Sequence, residues 1–367
     1  MSRQPMLCIA GGGTGGHVMP ALALADAARN KWPELKVQFI GAERGLEARL
    51  LPERGESVLL LAMHGVKGAG LLQKIRVLAW ELPRSVLNIR RSWKNMRPDL
   101  LVGVGGYASV SGVLAALTAR VPVVLYEQNA MPGIVNRYLA RFCSQIMLGF
   151  AAAASKLSSR AHMAITGNIV RDSIAMIRWT HHQPPCLLVM GGSQGARVLN
   201  ENVPDACSLL VQKGRSFTII HIAGNDAEAR SSVINTYAKA GIKAEVLPFC
   251  DDMSAFYAAG DLLIARSGAM TVSEAAMCGM PAIFVPLPHA ADDHQRYNAL
   301  AQQNGARVMD QKHISASSLA LEIEDLLFNE KRLAAMSRDA LQQAPKDAVY
   351  KQLDVLSGYL AKAGSKP

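Results

Sequence analysis

The residues whose type and spacing could do chemistry lie in a few short glycine- and hydroxyl-rich stretches. Gly11-Gly12-Gly13-Thr14-Gly15-Gly16-His17 follows a short apolar run and leads into a helical pattern. Glycines at such a turn let the backbone approach a ligand closely, and the helix behind it offers unpaired N–H groups to an anion. Pro20 suits the first turn of that helix, and His17 either caps it or faces the ligand. A second turn, Gly103 to Ser109, and a third, Gly191-Gly192-Ser193-Gln194-Gly195, also follow apolar runs. Turns at the C-terminal ends of parallel strands line the crevice where open α/β sheets bind ligands. Several phosphates, or a diphosphate on each side of a cleft, would use them all. The first turn lacks the dinucleotide-binding pattern G-x-G-x-x-G with an acid about 20 residues on, because Glu43 falls further away.

A fourth stretch, Arg266-Ser267-Gly268-Ala269-Met270-Thr271-Val272-Ser273-Glu274, leaves a run, turns at Gly268 and enters a helix. Thr271 and Ser273 supply hydroxyls and N–H groups suited to a diphosphate. Glu274 either holds the two hydroxyls of a ribose or only sets a favourable charge near the helix start. His289-Ala290-Ala291-Asp292-Asp293-His294-Gln295 offers donors and acceptors for sugar hydroxyls. With no Asp-x-Asp pair and no His-Glu-x-x-His, neither a metal nor any other cofactor is expected.

Parallel strands and crossover helices must position these stretches. Apolar runs that read as strands buried on both faces are Met6–Ala10, Val37–Ile40, Val58–Leu61, Leu100–Val104, Val123–Tyr126 and Ile146–Leu148. A second series is Leu187–Met190, Phe217–Ile222, Val246–Phe249, Leu262–Ala265 and Ile283–Val285. Each series opens on a strand followed by a glycine turn, the two turns 179 residues apart. The expectation is an α/β chain of two Rossmann-like doubly wound domains facing across a cleft. Residues 1–167 form the first and 168–344 the second, with Arg178 to Pro185 resembling a linker and a helix at 345–367 packing back on the first.

The 367 residues suit two domains of ordinary size, and aromatic residues at 5% suit α/β layers better than an all-β shell. No stretch reaches the ~20 apolar residues of a membrane span, and no leader precedes the first strand, so a cytosolic protein is expected. Cys8, Cys143, Cys186, Cys207, Cys250 and Cys278 form no Cys-x-x-Cys, which points to reduced thiols. The net charge of +10 calls for an anionic partner. Between Lys67 and Arg97 there are eight basic residues against one acid, Glu81. Within that stretch Leu71, Leu72, Ile75, Leu78, Ala79 and Leu82 share one arc at helical spacing, with Trp80 on the other side. This reads either as an amphipathic element on an anionic membrane or as a core face with a solvated rim.

In this order and spacing the motifs closely resemble the MurG family of bacterial peptidoglycan glycosyltransferases (glycosyltransferase family 28). The resemblance runs through Gly12 to His17, Gly105-Gly106-Tyr107, Glu127-Gln128-Asn129, Gly191 to Ala196, Arg266 to Ala269 and Thr271 to Glu274, over nearly the whole chain. It implies a GT-B fold and transfer of N-acetylglucosamine from UDP-GlcNAc to the C4 hydroxyl of MurNAc in undecaprenyl-diphosphate-MurNAc-pentapeptide, lipid I, giving lipid II. Position by position, Thr14, Gly15, Gly16, Asn129, Arg171, Ser193, Cys250, Ala269, Met270, Thr271, Val272, Ser273, Glu274 and Gln295 would contact the donor. Cys250 would do so near uracil through its backbone. Gly12, Gly13, Gly105, Gly106 and Tyr107 would hold the acceptor diphosphate. The chain departs from the family at Ile169 and Ser111, where proline is common, and at Ile222, where glutamine is common.

The implied reaction is an inverting displacement with His17 as general base and Glu127 as the second candidate, either as the base or as a group that orients a partner. Expected partners are UDP-GlcNAc, lipid I and an anionic membrane surface, with no nucleic acid. The expected location is the cytoplasmic face of the bacterial inner membrane, peripherally bound. Rival readings are a glycosyl-diacylglycerol synthase, which shares the donor loops, and a nucleotide-sugar epimerase, which needs no second diphosphate site.

Overall fold

The structure is a computed structural model that describes residues 4–13, 15–63, 70, 76–192 and 195–364. Thr14, Ser193 and, in the basic stretch, Lys67, Leu71, Leu72, Lys74 and Ile75 lie outside the described residues. The chain divides into two compact units, one of Met1–Ile169 with Asp347–Pro367, the other of Val170–Lys346.

The first unit is built on seven strands: β1 Met6–Gly11, β2 Lys36–Ala42, β3 Val58–Leu61, β4 Leu100–Gly105, β5 Val123–Glu127, β6 Gln145–Leu148 and β7 Met163–Ile165. All neighbours pair in parallel, in the order β3-β2-β1-β4-β5-β6-β7. Side chains alternate across a strand, so each flat apolar run feeds two cores. Leu7 and Ile9 enter one cluster with Leu22, Leu24 and Phe39, whereas Cys8 and Ala10 enter the opposite one with Ile89, Trp93 and Val113. The C-terminal helix Ala348–Gly364 adds Ala348, Leu353, Leu356 and Leu360 to the first of these clusters. Its buried Gln352 donates to the Gly167 carbonyl at 2.8 Å.

The second unit holds β8 Cys186–Met190, β9 Thr218–Ile222, β10 Ala244–Leu247, β11 Leu262–Ala265, β12 Ala282–Phe284 and β13 Ala306–Val308. They are again parallel, in the order β10-β9-β8-β11-β12-β13. The stretch from Arg178 to Pro185, expected as a linker, lies within this unit. It is tied down by the buried Asp261, whose carboxylate accepts from the His182 and Cys186 amides, both at 2.7 Å, and pairs with His181 Nδ1 at 2.9 Å.

Both sheets reverse strand order at one place, between β1 and β4 and between β8 and β11. A doubly wound sheet opens its ligand crevice at such a switch point, beyond the C-terminal strand ends. The helices that follow these strands must therefore point their N-termini into it. One local expectation is corrected here. Pro20 is the sixth residue of the helix Gly15–Lys31 and not part of its first turn, so the Gly16 carbonyl receives no helical amide from it.

Candidate active site

Every glycine turn singled out in the sequence follows a strand at a switch point: β1 and β4 in the first unit, β8 and β11 in the second. Three helices behind them, Tyr107–Thr118, Arg197–Gln212 and Ala269–Cys278, start without a side-chain cap. By contrast, the helix after β9, Ala227–Lys239, is capped by Asp226, and helix Ala316–Leu327 by a Ser315 capping box. Uncapped helix starts leave N–H groups for an anion; three of them lie at the switch points, while the short helices Glu47–Glu53, Ile134–Leu139 and His294–Leu300 also start without a side-chain cap.

In the first unit the β1 and β4 turns interlock. A Cβ on Gly11 would lie 2.4 Å from the Gly105 carbonyl, and one on Gly106 would lie 2.4 Å from the Gly12 carbonyl. Only glycine permits this approach, and Gly13, Gly105 and Gly106 also hold φ of +96°, +102° and +80°. The backbone amides of Gly12 and Gly13 are already engaged, by the Gly105 carbonyl at 3.2 Å and by Glu47 Oε2 at 2.7 Å. These two amides therefore help to fix the shape of the loop. Gly15 and Gly16 open the helix that follows β1, and Tyr107 opens the one that follows β4. His17 is half-buried against Gly105, with Nδ1 3.1 Å from the Gly12 carbonyl.

Glu127 ends β5 and is buried. One oxygen accepts from Asn129 N and Nδ2 at 2.9 and 3.2 Å, the other from Gly133 N at 2.9 Å and Asn136 Nδ2 at 2.8 Å. Four donors meet the carboxylate and tie it to the segment 128–136, including Asn129. Sequence reasoning missed the support beneath it: Gln128 Nε2 donates to the Val104 carbonyl at 3.2 Å, and Asn168 bridges Gln128 O and Tyr126 Oη at 3.0 and 3.1 Å.

In the second unit, Gly192 and Gly195 hold φ of +87° and +75°, and a Cβ on Gly195 would lie 2.3 Å from the Ala223 carbonyl. That carbonyl is fixed by Asn200 Nδ2 at 2.9 Å, and Asn200 in turn meets buried His221 on β9, whose other nitrogen meets Tyr237 Oη at 3.0 Å. Burial pushes the His221 imidazolium down to a pKa of about 3, so the ring is neutral. Sequence reasoning had no signal for this network.

After β11, Gly268 opens helix Ala269–Cys278. Ala269, Met270 and Thr271 start it, with Met270 and Thr271 partly exposed. Val272 is fully buried and its amide bonds the Gly268 carbonyl at 3.0 Å. Ser273 is buried as well. Glu274 accepts from Tyr257 Oη at 3.1 Å and stands 3.7 Å from Arg171. Burial raises its carboxyl above the ordinary value, while Arg171 and the Tyr257 hydroxyl pull the other way. Arg171 also helps to hold Asp252 below the usual carboxylate range, after the larger effect of the Ser254 hydroxyl. Cys250 is half-buried in the same loop, its thiol donating to the Asp252 carbonyl at 3.3 Å.

Gln295 accepts from the Leu287 amide at 2.9 Å, which leaves its amide nitrogen to donate. The loop before it holds three non-glycine residues at positive φ: His289 at +58°, Asp292 at +53° and Asp293 at +54°. Such conformations persist where surrounding structure over-determines them. Arg266 supplies part of that constraint, donating to the Val285 and Pro286 carbonyls at 3.0 and 3.2 Å.

The described part of the basic stretch is a π-helical turn, Val77–Glu81, running into helix Leu82–Ser92. Val77, Glu81, Ser85 and Ile89 face inward. Leu78 is 59% exposed and Trp80 66%, and Leu87 is exposed with them. The expected arc is corrected accordingly: Leu78 and Ala79 turn outward together with Trp80, among exposed Arg76, Arg84, Arg90 and Arg91.

Residues 7–148 match the glycosyltransferase family 28 N-terminal domain, and residues 186–352 the family 28 C-terminal domain. The chain is 41% identical over 337 residues to the UDP-N-acetylglucosamine–N-acetylmuramyl-(pentapeptide) pyrophosphoryl-undecaprenol N-acetylglucosamine transferase of Syntrophotalea carbinolica, covering 91% of this chain and 93% of that protein. It resembles the crystal structure of Acinetobacter baumannii MurG at 30% identity and a TM-score of 0.77, covering 96% of this chain and 99% of that one. A UDP-N-acetylglucosamine 2-epimerase structure from Listeria monocytogenes shares only the fold, at 16% identity and a TM-score of 0.67 over the full length of this chain and 99% of that one.

Proposed function

The chain belongs to glycosyltransferase family 28, and from that premise we propose that it transfers N-acetylglucosamine from UDP-GlcNAc to the C4 hydroxyl of MurNAc in lipid I, giving lipid II. The observation that carries this reading is the set of uncapped helix starts at both switch points, one set per unit. Two diphosphate-bearing substrates, one to a unit, make use of both.

The donor belongs to the second unit. Its diphosphate lies at the amides of Ala269, Met270 and Thr271 with the Arg171 guanidinium; the family resemblance adds Ser193, which lies outside the described residues. Glu274 takes the ribose hydroxyls, the backbone near Cys250 meets uracil, and Gln295 donates to the sugar. The family resemblance also assigns donor contacts to Gly15, Gly16 and Asn129. The acceptor diphosphate belongs to the first unit at Gly105, Gly106 and Tyr107. A carbonyl only accepts, so the Gly12 contact puts the His17 proton on Nδ1 and leaves the lone pair on Nε2. Nε2 takes the proton of the attacking hydroxyl as oxygen bonds to the anomeric carbon. The bond to UDP breaks with inversion, and its electron pair leaves on a diphosphate stabilised by helix-terminal amides.

Exposed Leu78, Trp80 and Leu87 among arginines support peripheral attachment to the anionic cytoplasmic face of the inner membrane. Among the described residues no helix is long and apolar enough to cross a membrane. Incubation with labelled UDP-GlcNAc and a lipid I analogue tests the reading. Label in a disaccharide-diphospho-lipid supports it. Transfer to diacylglycerol, or conversion of the nucleotide sugar to its 2-epimer without transfer, overturns it.

A further inference from the structure

Glu47 has no part in the chemistry above, yet its surroundings are built around its carboxylate. It opens the short helix Glu47–Glu53 after β2 and is 1% exposed. Its two oxygens serve two separate stretches of backbone: Oε2 accepts from Gly13 N at 2.7 Å and Oε1 from Ala42 N at 2.9 Å. Three glycines make room for it. A Cβ on Gly12, Gly41 or Gly45 would lie 2.2, 2.4 or 2.2 Å from the Glu47 side chain. An acid that merely favoured a helix start would not need this cradle, nor would it reach across to another strand's loop.

The Gly13 amide and the Gly12 carbonyl are the two ends of one peptide group. Its N–H donates to Glu47, and its oxygen accepts from His17 Nδ1 at 3.1 Å. A carboxylate on the N–H end makes the carbonyl end a stronger acceptor, because chained hydrogen bonds polarise one another. The Gly12 amide, bonded to the Gly105 carbonyl at 3.2 Å, fixes the same segment from the other side.

We propose that Glu47 is a positioning residue that acts through the Gly12–Gly13 peptide, fixing the orientation of His17 and keeping its proton on Nδ1 so that Nε2 faces the acceptor hydroxyl. The arrangement matches in role the carboxylate that holds the histidine of a Ser-His-Asp triad in its working tautomer. Here a peptide group stands between acid and imidazole. The inference rests on the reading of His17 as the base. No bond to Glu47 forms or breaks, and it gains no proton during turnover.

The test is the ¹⁵N spectrum of the His17 ring in the full-length protein, recorded at a pH where the ring is neutral. The wild type is expected to show a protonated Nδ1 and a bare Nε2. Glu47→Gln keeps the shape but has a single acceptor oxygen and turns an NH₂ toward a backbone N–H. It is expected to mix the two tautomers and to lower kcat by roughly ten- to a hundredfold at saturating substrates. Its affinity for UDP should match that of the wild type. Leu356→Ala, which loosens the same unit from the far C-terminal helix, should leave the His17 spectrum and kcat unchanged. A wild-type proton on Nε2 overturns the proposal without any variant, even if Glu47→Gln fails to fold. So does a Glu47→Gln protein with wild-type tautomer and kcat. If instead His17→Ala retains kcat while Glu47→Gln still shifts the tautomer, the linkage through the peptide stands and only the base assignment falls.

Discussion

Glu127 and Glu274 are both carboxylates withdrawn from solvent, and their neighbours give them opposite tasks. Glu127 is surrounded by donors on its own loop. Glu127→Gln must turn one NH₂ against those donors, so it should lower kcat/KM by roughly ten- to a hundredfold while UDP affinity stays unchanged. Steady-state kinetics beside UDP titration check this. Glu274 is held above its ordinary pKa by burial. The folded state therefore binds its proton more tightly than the unfolded chain does. Stability falls as pH rises through the window from the ordinary value to the raised one, and above it the ionised group remains a cost. Glu274→Gln should then melt no lower than the wild type at pH 7.5, and that advantage should vanish below about pH 4.5. Its affinity for UDP-GlcNAc should fall all the same, through loss of the ribose contact. A melting temperature clearly below wild type at pH 7.5 would contradict this account of Glu274. Residues such as these were legible because they sit in motifs at strand ends. Glu47, Asn168 and His221 were not, because each acts on a partner 34, 40 or 21 residues away in the chain.

At the scale of elements, the flat apolar runs were readable wherever a strand is covered on both faces. β7 and β13 escaped notice because they are three-residue strands at the edge of their sheets, with only Ala306 among their residues buried. β10 lies two residues earlier than its apolar run suggested, since Ala244 and Glu245 pair with Ile219 and Ile220 on β9 while Phe249 turns outward. The π-helical turn at Val77–Glu81 shifts helical register and so brings Leu78, Ala79 and Trp80 to one surface, which a regular helical wheel separates. Trp80→Ser with Leu78→Ser should reduce co-sedimentation with anionic vesicles severalfold, and 0.5 M salt should reduce that of the wild type. Binding that survives both changes would count against this surface. On β9, neutral His221 predicts an acid-sensitive second unit. Its folded pKa of about 3 lies below the ordinary 6.5. The unfolded chain binds the extra proton in between, so stability drops by about 1.4 kcal/mol per pH unit from about pH 6.5 toward 3. Melting curves of His221→Gln should lose much of that slope.

For the whole molecule, the repeated strand order is what the sequence carried most clearly: two glycine turns 179 residues apart introduce two sheets with the same pattern. The role of the stretch from Arg178 to Pro185 was harder to read. The histidine–proline stretch looked like a break, but Asp261 binds it into the second unit by contacts 75 to 80 residues apart in sequence. The last helix returns to the first unit, where Leu356 is fully buried beside residues of the N-terminal helix. Leu356→Ala should therefore cost that unit about 2–5 kcal/mol. A cavity in the first unit should leave UDP affinity, whose main contacts the proposal assigns to the second, unchanged.

This division of labour, with the base on one unit and the donor's main contacts on the other, meets its most direct test at His17. Kcat at saturating donor and lipid I analogue should be measured for His17→Ala together with its affinity for UDP. The account predicts a fall in kcat of about 10²- to 10⁴-fold with UDP affinity unchanged. A His17→Ala enzyme that turns over at near wild-type kcat would contradict it.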